Sequence, residues 1–540
     1  MRLSYWKKAL RRQVEACAVF LPVLSEAFLA SENCFEETNW AEWRHKTIVP
    51  VYLEVLGVEK ISHFLRSRQD LRLYQFPDAA ALVAHMEQER VFASCRIDAV
   101  SIKSIPRQHA VMQWNRDRGI IWKIDKNGTL TIAKYAGSNG LFPDYDWDGK
   151  NKCFSAPWLK HKISVASVVI ENGVTSIGKL AFADCVFLTK IHIPNSVISI
   201  GGGAFTGCVS LTEARIPDGV ISIGVGAFKD CANLTNVHIP NKVTFIENGT
   251  FEGCASLTKI HIPESVSSIN NSAFSACTSL TEVHIPDGVS SISNSTFSGC
   301  VSLKEVYIPD SVTSLGSWAF CGCNNLEKIR IPNGVTSIEE CTFAGCARLI
   351  TIRIPDSITT ISDRAFSGCT KMRDIDIPES VSSIGTEAFS DCSNLTEIRI
   401  PNGITVISDH TFNSCTSLTA VHLPDMIVSI GDGAFYGCIS LTEIHIPNNI
   451  KSIGWSVFYG CKGLTSVSIP DGVTSIGGRA FEGCTSLTTI RIPDSMTEIY
   501  WKAFKDCTNL HSIEIPIRAD IDSEAFDEHT EVIRRKNVLE

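Results

Sequence analysis

Every 23rd residue from position 192 to position 514 fills the same slot of a recurring segment, and most of these side chains carry charge or an imidazole. The column reads His192, Arg215, His238, His261, His284, Tyr307, Arg330, Arg353, Asp376, Arg399, His422, His445, Ser468, Arg491, Glu514. Eleven of the fifteen are His or Arg, a composition that suits a polyanion. A second slot, two residues earlier, opposes it with Glu213, Glu282, Glu305, Asp374, Glu397 and Glu443 against Lys190, Lys259 and Lys328. With His neutral, five Arg against Asp376 and Glu514 give the first column +3, and six acids against three Lys give the second −3. Nucleic-acid binding needs a surface that neutralises phosphate, so a balanced face argues against it. The net charge of −9 over 540 residues, with both signs scattered, likewise argues against an anionic membrane.

Other constellations carry chemistry on paper. His238, His261 and His284 raise a zinc site, but three imidazoles must converge to about 2.0–2.1 Å from the metal, and a flat strand ladder spaces them too widely. Asp144, Asp146 and Asp148 before Gly149 match the opening of a calcium loop. The twelfth position, which wants Glu, is Ser155. Cys95, His63, His85 and His109 contain the parts of a nucleophile site, yet no family signature surrounds them. Fifteen cysteines stand 23 apart from Cys185 to Cys507. An odd column cannot pair evenly, and stacked parallel side chains do not converge to the roughly 3.8 Å between Cβ atoms that a disulfide needs. They read as buried free thiols, small hydrophobes in the core; Cys321 and Cys341 lie outside the column. Sequons such as those at Asn233, Asn248 and Asn394 read as by-products of Asn-rich turns. No catalytic residue, metal or cofactor is assigned.

The element that positions the variable slot is the repeat itself. Fifteen prolines (Pro194 to Pro516) and fifteen phenylalanines (Phe182 to Phe504) keep the 23-residue period without an insertion. In "LTKIHIPNSVISIGGGAFTGC", Leu188 to Cys208, alternation turns Ile191 and Ile193 inward and Lys190 and His192 outward on one face. Pro194 ends the strand because it has no N–H for the next ladder. Val197 and Ile200 form a second inward stretch, and Ala204, Phe205 and Cys208 supply the opposite wall from a turn or one helical turn. In the following unit Leu211, Ile216, Pro217 and Ile223 fill the same core roles. One such unit cannot bury these side chains alone, whereas stacked units cover one another.

The motif LTxIxIPxxVxSIGxxAFxxC closely resembles the BspA-like leucine-rich repeat family over about Val168 to His529. The stretch from Ile120 to Gly178 also looks like the segment that precedes such arrays in bacterial members. The resemblance implies a right-handed α/β solenoid of about fifteen coils with parallel strands. It also implies surface or secreted proteins that bind matrix proteins, host cells or other bacteria. A clear signal and an anchor are missing from that pattern: Ala16–Ser25 reads either as a short signal core or as an amphipathic helix. The expected location is therefore cytoplasmic, with secreted or cell-surface as the alternative.

The expected organisation is a small α+β domain at 1–110, an N-terminal cap at 111–167 built on the Asn127-Gly128 hairpin signal, repeats at 168–517, and a degenerate cap and tail at 518–540. The functional reading is a non-enzymatic scaffold that binds a protein or glycan through the outward strand face, without nucleic acid or membrane insertion. Contacts are expected at His238, His261, His284, Tyr307, Arg330, Arg353 and Arg399. The bland alternative is a solvated sheet face whose charge pairs keep it soluble. The alternative from another class is an enzyme or effector with its activity in residues 1–110 and the repeats choosing its target.

Overall fold

A computed structural model describes residues 111–148 and 153–535, together with the two-residue strands Val19–Phe20, Val23–Leu24, Thr47–Ile48 and Val51–Tyr52. The rest of residues 1–110, including the expected helices and Cys95, His63, His85 and His109, lies outside the described residues.

Each coil of the array contributes three walls. The first is a strand of about three residues, such as Glu213–Arg215, which ends before the buried Ile216 and Pro217. The second is a Ser-Ile pair such as Ser222–Ile223, with the isoleucine inside. Both walls pair in parallel with their neighbours, Glu213 opposite Asn236 and Ser199 opposite Ser222, one period apart. Strands stay this short because the proline that follows withholds an N–H from the ladder. In places the first sheet thins to isolated bridges, Arg330 to Arg353 and Arg353 to Asp376.

The third wall consists of turns. The N–H groups of Leu180, Phe182 and Asp184 donate to the carbonyls of Gly202, Ala204 and Thr206 in the next coil, at 2.9, 2.7 and 2.7 Å. A helical turn would close these bonds within its own coil; here they tie one coil to the next. This wall therefore accounts for the turn reading, and the array holds less helix than an α/β label implies. Among the described residues the helical element is the 3₁₀ segment Pro157–Ser164. The parallel solenoid runs through about sixteen turns.

Inside, Phe205, Cys208 and Leu211 are 0% exposed, and Ile216, Pro217 and Ile223 are buried with them. From Phe182 to Phe526 successive rings stack at 5.1–5.7 Å. At the N-terminal end, Trp158 and Phe142 lie 6.0 and 5.9 Å from Phe182, closing the column with edge and tilted ring contacts. Trp158 also donates its indole N–H to the Ala181 carbonyl at 2.8 Å. The hairpin Ile120–Ile124 and Thr129–Lys134 turns at Gly128 (φ 78°) and extends the first sheet by pairing Thr129 with Ser167. At the other end the worn unit still stacks Phe526 on Phe504 at 5.2 Å. Its strand Glu531–Arg535 pairs with Ser512–Pro516.

Candidate functional site: the outward face of the first sheet

The burial pattern exposed–buried–exposed along strands such as Asn236–His238, Glu282–His284 and Glu305–Tyr307 puts the variable slot in solvent. His238, His261, His284, Tyr307, Arg330, Arg353 and Arg399 are all exposed on this face. Parallel pairing sets His284 beside Tyr307, and their rings stack at 4.8 Å with 12° between planes. Tyr307 remains 53% exposed. Next along the array, Arg330 reaches Asp310 at 2.6 Å. No acidic side chain among the described residues comes within ion-pair distance of Arg353 or Arg399 in the same way. Arg353 is tied to its neighbours through the backbone bridges alone.

The charge balance has a geometry that columns alone do not reveal. The basic residue of one coil pairs with the aspartate of the Pro-Asp turn in the coil before it. His238 meets Asp218 at 3.0 Å, Arg330 meets Asp310, and Arg491 meets Asp471 at 2.7 Å. Lateral pairs occur as well, Lys259 with Glu282 and His422 with Glu397, both at 2.7 Å. The partner spacing of twenty residues crosses the proline turn, so its signal lies in which units carry Pro-Asp and in the register between coils. The exposed pairs fix side-chain positions more than they add stability.

Two of the three histidines considered for zinc engage other groups: His238 faces Asp218 and His284 lies flat on Tyr307. The aspartate loop that opens like a calcium site fastens the segment before the array to its first coil. The Asp144 carboxylate accepts the Lys179 N–H at 2.7 Å and Asp146 pairs with the Lys179 ammonium at 3.2 Å. Ser155 Oγ accepts the Asp146 N–H at 2.9 Å; Gly149 lies outside the described residues. Cys321 is partly exposed and Cys341 is buried, both as free thiols.

Two parallel sheets and a hydrogen-bonded turn wall, with the outward residues of the first strand left to vary, define a leucine-rich-repeat type of solenoid. The chain matches the BspA type leucine rich repeat region over 154–277, 199–327, 244–372, 316–427 and 405–533. It belongs to that family. Similar solved structures include a leucine-rich repeat protein from Bacteroides ovatus, 26% identical, covering 77% of this chain and 98% of that one, with a TM-score of 0.48. A leucine-rich cell surface protein from Faecalibacterium prausnitzii is 28% identical over 78% of this chain and 94% of its own, with a TM-score of 0.35. A leucine-rich repeat protein from Eubacterium ventriosum is 22% identical over 79% and 97%, with a TM-score of 0.35. No curated protein matches the sequence. Repeat proteins of this kind serve as scaffolds for protein interaction and are typically not enzymes. Among the described residues no helix is long and apolar enough to cross a membrane.

Proposed function

We propose that this chain is an interaction scaffold whose first-sheet face docks a protein partner, with Tyr307, Arg330 and Arg353 as its anchors. The observation that carries this reading is the His284–Tyr307 stack at 4.8 Å, an exposed aromatic pair on paired strands, with Arg330 and Arg353 on the next two coils of the same face. Tyrosine and arginine concentrate interface energy because they bring area and directional bonds at small entropic cost. Arg353 needs no internal ion pair broken before it engages a partner, whereas Arg330 must exchange Asp310 for it. His238, His261 and Arg399 lie on the same face and would frame the contact.

The test places a photo-crosslinking amino acid at Tyr307 in the full chain and, as a control, at Ser456 on the turn wall. A protein partner crosslinks through position 307 and not through 456, and the Tyr307→Ala, Arg330→Ala, Arg353→Ala triple variant loses that partner while unfolding at the same temperature. Equal crosslinking at both positions, or a triple variant that retains the partner, rejects the placement.

A further inference from the structure

The turn wall carries a second ordered column, three residues before each core phenylalanine. There Asn248, Asn271 and Asn294 accept the backbone N–H of the residue one coil on, at 3.0–3.1 Å. Asp363, Asp409 and Asp432 do the same at 2.7–2.8 Å. After Asp432 the column departs from this use and reads Trp455, Gly478, Trp501. An indole offers no acceptor, so the ladder stops where the aromatics begin.

Trp455 and the neighbouring Tyr500 are exposed and held in place, and Trp501 is half-buried. Trp455 is 51% exposed and Tyr500 42%, with ring centroids 6.3 Å apart although one coil lies between theirs. They lean together over Gly478, where a Cβ would come within 2.4 Å of the Trp455 ring. Glycine is what lets the indole lie across the next coil. The polar tips are already committed: the Tyr500 hydroxyl donates to Glu498, and the Trp501 N–H donates to Glu524 at 2.9 Å. Arg479 and Lys502 stand over the Trp501 ring at 4.8 and 4.4 Å.

From this arrangement we infer that Trp455 and Tyr500 form a stacking platform for a neutral sugar ring of an oligosaccharide, with Glu498, Glu524 and Arg479 at its rim to bond the hydroxyls. The chemistry separates this guest from its rivals. A quaternary ammonium or methylated lysine would compete with Arg479 and Lys502, which already stand over the Trp501 ring. A polyproline segment brings carbonyl acceptors, but the Tyr500 hydroxyl and the Trp501 N–H are taken, which leaves the Trp455 N–H as the one aromatic donor to serve them. A sugar brings its own donors, and each carboxylate keeps lone pairs to accept them. The apolar C–H face of a pyranose suits an exposed aromatic ring of fixed orientation.

Calorimetry on the full chain with cellohexaose, mannohexaose, chitohexaose and decaproline tests this. At least one hexaose should bind, and Trp455→Asn should weaken it tenfold or more while supplying the Gly478 N–H with the acceptor that Asn271 gives Asn294. Its unfolding temperature should therefore equal or exceed that of the parent. Tyr500→Ala carries the same expectation for binding, should the first variant fold poorly. The triple variant at Tyr307, Arg330 and Arg353 should bind the sugar unchanged, which keeps this site separate from the strand face. The inference is overturned by binding of decaproline alone, by no hexaose binding at millimolar concentration, or by sugar binding that persists in both aromatic variants.

Discussion

A cysteine in each coil was legible as a small buried hydrophobe from its spacing with Phe and Leu. Its second task was not. From Cys208 to Cys507 each Sγ donates to the carbonyl of the phenylalanine one coil earlier, at 3.1–3.3 Å, as with Cys300 and Phe274. That carbonyl already accepts the N–H of its own coil's cysteine, so the thiol occupies its second lone pair. Alanine would leave the lone pair empty and a small void, and Cys300→Ala should cost about 1–2 kcal/mol in denaturant unfolding. An unchanged midpoint would mean that the contact contributes nothing. The same burial pushes the thiols of Cys300, Cys392 and Cys438 up to about 12 from an ordinary 9.0. The unfolded chain thus releases protons above pH 9 that the folded chain keeps. Stability is full below pH 9 and falls toward pH 12, by up to about 1.4 kcal/mol per thiol for each pH unit. Because the column acts together, circular dichroism should show one steep loss of structure within that window. A fold intact at pH 11.5 would contradict the argument.

At the level of the element, strand positions follow from the alternation around each proline, and both sheets lie where that pattern puts them. The turn wall was harder to read because its conformation is written weakly in the sequence. Two residues per coil, two before and two after the core phenylalanine, have positive φ. Gly203 and Gly207 are one such pair, but the same sites hold Trp318, Arg364, Glu387 and Ala276 at φ between 54 and 63°. Side chains there carry strain that glycine does not, and the interlocked ladder between coils imposes it. Ala276 sits between coils whose equivalent residues are Gly253 (φ 73°) and Gly299 (φ 71°). Ala276→Gly should therefore stabilise the chain by about 0.5–1 kcal/mol, the relief of strain exceeding the entropy glycine adds to the unfolded state. A fall in the thermal midpoint would show that this backbone is less strained than its φ implies. The diagonal pairing of Arg330 with Asp310 was hidden for a related reason. It joins a strand to the turn of the coil before it, a proximity set by register between coils rather than by position within one.

Over the whole molecule, nearly every backbone and side-chain bond described stays within a coil or links it to its immediate neighbour, so removing one complete coil should leave a continuous array. Deleting Thr370–Cys392, one full period of 23 residues, brings Phe366 against Phe412 and Cys369 before Ser393, in the relation the parent repeats throughout. Deleting Thr370–Asp391, one residue fewer, shifts every later residue by one place and turns alternating side chains to the wrong face. Circular dichroism and thermal unfolding should find the first variant folded with a slightly lower midpoint and the second lacking much of its distal structure. The same logic separates scaffold from site. Excising Val301–Cys323 is equally neutral for the stack but removes Tyr307, whereas excising Thr370–Cys392 spares every proposed anchor. Partner crosslinking or binding should vanish in the former and survive in the latter. If both deletions bind alike, the coils contribute as interchangeable spacers and the His284–Tyr307 stack is no anchor.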